Sequence, residues 1–172
     1  MRFLSGWGLR LVVLVVLQVA LGSHLEIEQV KPDFFLLSVL LVAMGRGSFA
    51  AILWGAAAGL VQDVLSAGII GFNVLTKPAL GYGVGLLRSR LDFDNPNTQT
   101  LITFLATLAE GMVLSLMLYA YHPANSFSTS FTTLVVPEAV YNAIIIPLAA
   151  MAALWAKRHF SGRHRRALRP TG

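Results

Sequence analysis

Apolar residues run along this chain in blocks of roughly helix length, separated by short polar breaks. The first block is 7–25, with LVVLVVLQVALG at its centre. About 20 helical residues cross a hydrocarbon core of ~30 Å, so this block is long enough to span. A cleaved signal peptide competes with that reading, but no small-residue cleavage site follows; the next residues are His24, Leu25 and Glu26. A polar link leads to Pro32-Asp33, where proline fits the opening of a helix. The second block, 34–44, is shorter than a bilayer core at ~1.5 Å per residue. Gly45-Arg46-Gly47 is expected to close it as a tight turn. The third block is 48–65, rich in alanine and glycine, and Ser66-Ala67-Gly68 breaks it. The fourth is 69–87, the fifth 98–121 with Glu110 near its middle, and the sixth opens at Pro137-Glu138 and runs to Trp155. The blocks lack the period-two alternation of a membrane barrel.

Composition turns this pattern into a class. Apolar residues make up 56% of the chain, charged residues 12%, and mean hydropathy is +0.69. A soluble domain carries about 25% charged residues, so a water-soluble monomer and a disordered chain are both excluded. The expected fold class is all-α: an integral membrane bundle of six transmembrane helices, the second one short. It occupies 1–156, and a basic cytoplasmic tail follows at 157–172. That tail, KRHFSGRHRRALRPTG, is expected to lose order beyond its first turn.

Net charge is +5, and six of the 13 basic residues lie in the tail. A basic segment directly after an apolar block anchors a membrane helix on the cytoplasmic side and meets anionic lipid before it meets nucleic acid. With a cytoplasmic N-terminus and six crossings, eleven of the 13 basic residues fall inside. If the short second block does not cross and the N-terminus is outside, ten fall inside. Arg10 beside the first block, and Glu26 and Glu28 in the outer link, favour six crossings with both termini cytoplasmic.

Ionisable residues within a bilayer are costly, so each is a candidate for function. Asp63, Lys77 and Glu110 are the candidates for a buried polar centre; Asn73, Glu138 and Asn142 are secondary polar candidates. Gly55 and Gly59 precede Asp63 at spacings of four, and Gly81 and Gly85 follow Lys77 in the same way. Small residues at that spacing let helix backbones approach closely. Depth matching pairs Lys77 first with Glu110 and second with Asp63. A ligand- or proton-handling centre and an ion pair that only sets helix register both fit these residues. Glu138 also fits a carboxylate at a helix N-terminus. Trp7, Trp54, Trp155, Tyr119 and Tyr121 fall near predicted helix ends and read as interfacial anchors.

Enzyme signatures are missing: the chain has no HExxH, GxSxG or SxxK, and no glycine-rich phosphate loop. Cysteine is absent, and His24, His122, His159 and His164 lie in links or the tail. No catalytic residue, metal site or cofactor is expected.

The order of motifs resembles the bacterial rod shape-determining protein MreD family. The resemblance is carried by KPDFFLL, GLVQDVLSAGIIGFNVL, GYGVGLLRSRL and PEAVYN. Its most specific part is Gly59-Leu60-x-x-Asp63, then Gly71-Phe72, then Gly81-Tyr82-x-x-Gly85; Lys77 departs from the family pattern. The resemblance implies a non-enzymatic member of the cell-elongation machinery in the cytoplasmic (inner) membrane. Its implied partners are MreC, the actin-like MreB, RodA and a class B penicillin-binding transpeptidase. It also implies a fold similar to the S subunits of energy-coupling-factor vitamin transporters. The alternative function is therefore a substrate-binding membrane subunit of that type, with Asp63, Asn73, Lys77 and Glu110 lining a cavity and 68–71 acting as a gate.

Overall fold

A computed structural model of the chain describes residues 30–66, 69–121 and 131–166, with Val13, Val15, Val16, Gln18 and Ala20 from the first apolar block. For 121, 153, 154 and 156–166 it describes the backbone alone. The described residues are helical, with no ladder between strands. The helices are α1 (Phe34–Arg46), α2 (Ser48–Leu65), α3 (Phe72–Leu86), α4 (Pro96–Tyr121) and α5 (Val136–Arg166). A 3₁₀ turn, Leu87–Ser89, follows α3, and a π-helical turn, Phe131–Val135, precedes α5.

The short helix α1 sits at the centre. Asp33 caps its start by accepting a hydrogen bond from Leu36 N at 2.9 Å. Seven of its residues are buried, from Phe35 to Met44, and Phe34, Ser38, Leu41 and Val42 on the remaining side are half-buried. A helix that is apolar all round belongs inside protein. Leu36, Leu40 and Ala43 pack with Ala51, Val84, Ala106 and Ile146 from the four other helices. On another side Phe35 and Val39 pack with Trp54 and Ala58. Trp54 is therefore not an interfacial anchor: it is 4% exposed, and its indole N–H donates to Ser38 Oγ at 2.9 Å. Trp155 and Tyr119, by contrast, are well exposed; Trp7 lies outside the described residues.

The expected tight turn at 45–47 is narrower in the structure. Gly45 and Arg46 complete α1, and Gly47 alone joins it to α2. Gly47 has φ +85°, a left-handed conformation that glycine adopts without a Cβ penalty. Its N–H closes on Ala43 O at 2.9 Å.

Helices α2 and α3 pack antiparallel along their length, and glycines set the spacing. A Cβ on Gly85 would meet Ser48 backbone, one on Gly81 would meet Val39 and Ala51, and one on Gly55 would meet the Lys77–Pro78 backbone. One on Gly59 would run into the Asn73 carbonyl. The paired positions move in opposite directions along the two helices, which is the antiparallel register. On the far side of the bundle α4 packs on α5 and on the π-helical turn before it, where Gly111 faces Val135.

Among the described residues, three helices are long and apolar enough to cross a membrane: Ser48–Leu65, Pro96–Ala120 and Phe131–Ala152. Helix α1 has 13 residues and α3 has 15, or roughly 20 Å at ~1.5 Å per residue. Most of the first apolar block, the 67–68 break and the 122–130 link lie outside the described residues. The final helix does not stop at Trp155. It continues through the basic segment to Arg166, so helical order extends well past the first turn of the expected tail.

Candidate functional site

The buried polar centre is built around Lys77, which is 0% exposed. Its position four residues before Gly81 on α3 turns its stem away from lipid and into the bundle. Lys77 Nζ donates to Asp33 Oδ2 at 2.8 Å, to Glu110 Oε1 at 2.9 Å and to Asn73 Oδ1 at 3.0 Å. An ammonium has three protons, and each is engaged. Both carboxylates are buried as well. Burying charges is expensive unless they are paired and hydrogen-bonded, and this arrangement satisfies both conditions for the lysine.

Each anion is held by a second layer of contacts. Glu110 Oε1 also accepts from Thr76 Oγ1 at 3.1 Å, one residue before the lysine. Asp33 Oδ2 also accepts from Gln62 Nε2 at 3.0 Å. The Asp33 backbone N–H donates to Asn142 Oδ1 at 3.1 Å, and Asn142 Nδ2 donates to Thr107 Oγ1 at 3.3 Å. Gln18, from the first apolar block, brackets the same turn: its Nε2 donates to Pro32 O at 3.2 Å and its Oε1 accepts from Phe34 N at 2.9 Å. One connected polar network thus ties the first block and helices α1 to α5 together.

Asp63 plays a different part from Lys77 and Glu110. It does not contact the lysine. Its oxygens accept from the backbone N–H groups of Gly71, Asn73 and Val74 at 3.1, 3.1 and 3.0 Å. These are donors at the N-terminus of α3, whose own cap, Gly71, offers no side chain. The start of a helix presents unsatisfied N–H groups and a partial positive charge; the end of α2 supplies the missing acceptor. Asn73 links this cap to the ion cluster, since its Nδ2 donates to Asp63 Oδ1 at 2.9 Å while its Oδ1 accepts from Lys77.

Glu138 stands in the first turn of α5 and lines two cavities, each of about 240 Å³. The cavities share Asp33, Gln62, Gly111, Leu114 and Glu138. They lie where α1, α2 and α3 face α4 and α5, near the end of α2 and the start of α3. Of the gate considered at 68–71, Gly68 lies outside the described residues.

Sequence reasoning missed Asp33, Gln18, Gln62, Thr76 and Thr107. Asp33 was legible as a helix start, and a cap engages only one carboxylate oxygen. The other was the signal: an oxygen left over beside an apolar helix must find a donor. The four remaining residues are neutral and draw no attention in an apolar block.

Spanning-length apolar helices around a buried ionic cluster define an all-helical membrane protein. Among the described residues, no group of three or more His, Asp or Glu is placed to hold a metal ion. The chain belongs to the MreD family: the family model described as rod shape-determining protein MreD matches residues 1–155. Its role is accordingly in determining rod shape. No match was found among curated proteins or among solved structures.

Proposed function

We propose that this protein is a non-enzymatic scaffold of the cell-elongation complex. It would join MreC directly, and through it MreB, RodA and a class B penicillin-binding transpeptidase, to lateral peptidoglycan synthesis. The family match over 1–155 carries this reading. The distribution of polar groups supports it: they are gathered inside, while α2, α4 and α5 present Phe49, Leu53, Leu60, Leu101, Leu105 and Ile144 outward. Such faces suit lipid and the membrane helices of partners.

The proposed placement is the bacterial cytoplasmic membrane, crossed six times, with both termini cytoplasmic. In it the short helix α1 is held among protein neighbours, so it does not have to match the full hydrocarbon thickness by itself. Asp63, Lys77 and Glu110, with Asn73 and Asn142, form the centre that holds the helices in register, and Glu138 stands beside it. Gly55, Gly59, Gly81 and Gly85 allow the close approach of α2 and α3.

The test is replacement of the chromosomal gene, with co-purification from native membranes. Loss of rod shape on depletion, together with recovery of an MreC homologue with the tagged chain, supports the scaffold. Normal shape on depletion, or no MreC homologue recovered, overturns it. Reporter fusions at both ends read the topology, and an active extracytoplasmic reporter at the N-terminus favours five crossings.

A further inference from the structure

The walls of the two shared cavities are rich in free acceptors, and apart from Lys31 at the rim of the first, their strong donors are committed elsewhere. Lys77 directs its N–H bonds to Asp33, Asn73 and Glu110. Gln62 Nε2 is engaged by Asp33, Gln18 Nε2 by the Pro32 carbonyl, and Asn73 Nδ2 by Asp63. The acceptors are in the opposite state. Gln62 Oε1 is buried without a partner. Among the described residues no hydrogen bond reaches the Glu138 carboxylate. Ser115 is 3% exposed and lines the first cavity, and its hydroxyl has no partner among the described residues.

Charge points the same way. Asp33, Glu110 and Glu138 border the cavities, and among the described residues the one buried cation beside them is Lys77. Lys31 is exposed at the rim. The described acidic groups do not converge on a point where a metal ion could sit. A ligand with several divergent N–H groups can instead reach acceptors that stand apart, with Leu114 and Leu134 against its stem. A volume of about 240 Å³ gives such a group room.

We propose that the cavity bordered by Asp33, Gln62, Ser115 and Glu138 is a binding site for the ammonium or guanidinium group of an organic cation. Glu138 supplies the counter-charge, and Gln62 Oε1 and the Ser115 hydroxyl accept the remaining N–H bonds. The assignment does not rest on the elongation role. Loss of cation binding leaves co-purification with an MreC homologue untouched, so the two can fail separately.

The experiment uses the full chain in nanodiscs of uncharged phosphatidylcholine, so that lipid does not compete for the cation. Thermal unfolding is followed while N-acetyl-arginine amide, N-acetyl-citrulline amide, putrescine or magnesium chloride is titrated. Saturable stabilisation by the arginine amide alone assigns the site to a protein side chain, and by putrescine alone to a free solute. The citrulline amide has nearly the same shape without the charge and is expected to have no effect. A hydrogen bond to a charged group is worth enough that Glu138→Gln should weaken the effective probe by about tenfold or more. Ser115→Ala should weaken it several-fold, and it keeps the test available if Glu138→Gln does not fold. Four results overturn the proposal: no response to either cation, an equal response to the citrulline amide, a response to magnesium alone, or unchanged binding in folded Glu138→Gln or Ser115→Ala.

Discussion

Lys77 Nζ lies 2.8 Å from Asp33 Oδ2, so a side chain in α3 closes on the residue that caps the start of α1. The same ammonium lies 2.9 Å from Glu110 on α4. One cation therefore joins three helices at a place where each charge alone would be strongly unfavourable. The arrangement makes the cluster a single unit, with consequences for substitution.

Removing one member of a buried ion cluster strands the others, and costs of about 3–5 kcal/mol are typical. Lys77→Met is expected to be the most damaging single change, because it leaves both Asp33 and Glu110 without their cation. Glu110→Gln should cost less, since an amide still fits between Lys77 and Thr76. The triple change Lys77→Met, Asp33→Asn, Glu110→Gln is expected to recover part of the loss. Thermal midpoints of the purified proteins check this, and additive losses would show that the three do not act together.

Asp63→Ala should loosen the start of α3 while leaving the Lys77 contacts to Asp33 and Glu110 in place. A lost helix-cap acceptor costs about 0.5–2 kcal/mol. Asp63→Asn, with one carbonyl oxygen left, should fall between the parent and the alanine variant. Amide hydrogen exchange at Gly71, Asn73 and Val74 is the direct readout. Exchange unchanged there in Asp63→Ala would refute the capping role.

Three glycines separate close packing from backbone conformation. Gly59→Ala should be severe, because its Cβ would meet the Asn73 carbonyl. Gly71 has φ +92° and open space around it, so Gly71→Ala should cost only the left-handed backbone penalty of about 1–2 kcal/mol. Gly83 also faces open space without a positive φ, and Gly83→Ala should be neutral or slightly stabilising in a helix interior. Membrane abundance and unfolding temperature should follow that order.

The tail supplies the fourth test. Each basic residue near an anionic leaflet can gain about 1 kcal/mol. Replacing Arg163, Arg165 and Arg166 by glutamine is expected to leave the spans inserted and to weaken association of the last helix with anionic membrane. Site-directed labelling at the C-terminus, compared in anionic and neutral nanodiscs, measures it. Equal protection in both lipids would leave the tail as a topology signal alone.

The helical, membrane-embedded class was legible along the sequence, because low charge and long apolar blocks leave few other solutions. Helix ends were legible in part. Asp33 announced a start, and Ser66 closes α2 one residue past Leu65. Arg46 and Trp155 were harder. Nothing local separates a glycine inside a last turn from one just beyond it, and a basic segment after an apolar block can continue a helix as readily as end it.

What only the tertiary structure decided was the distribution of partners. Depth along the blocks ranks Glu110 first and Asp63 second as partners for Lys77, and Asp33 reads only as a helix start. The fold keeps Glu110 and puts Asp33 in the place of Asp63. The antiparallel packing of α3 on α2 brings the unsatisfied amides of α3 onto Asp63, while α1, enclosed by its neighbours, carries Asp33 to the lysine. Sequence determines which groups must be compensated, because desolvation acts on each group wherever it is buried. Which donor meets which acceptor depends on how close the helices come, and here Gly55, Gly59, Gly81 and Gly85 set that distance.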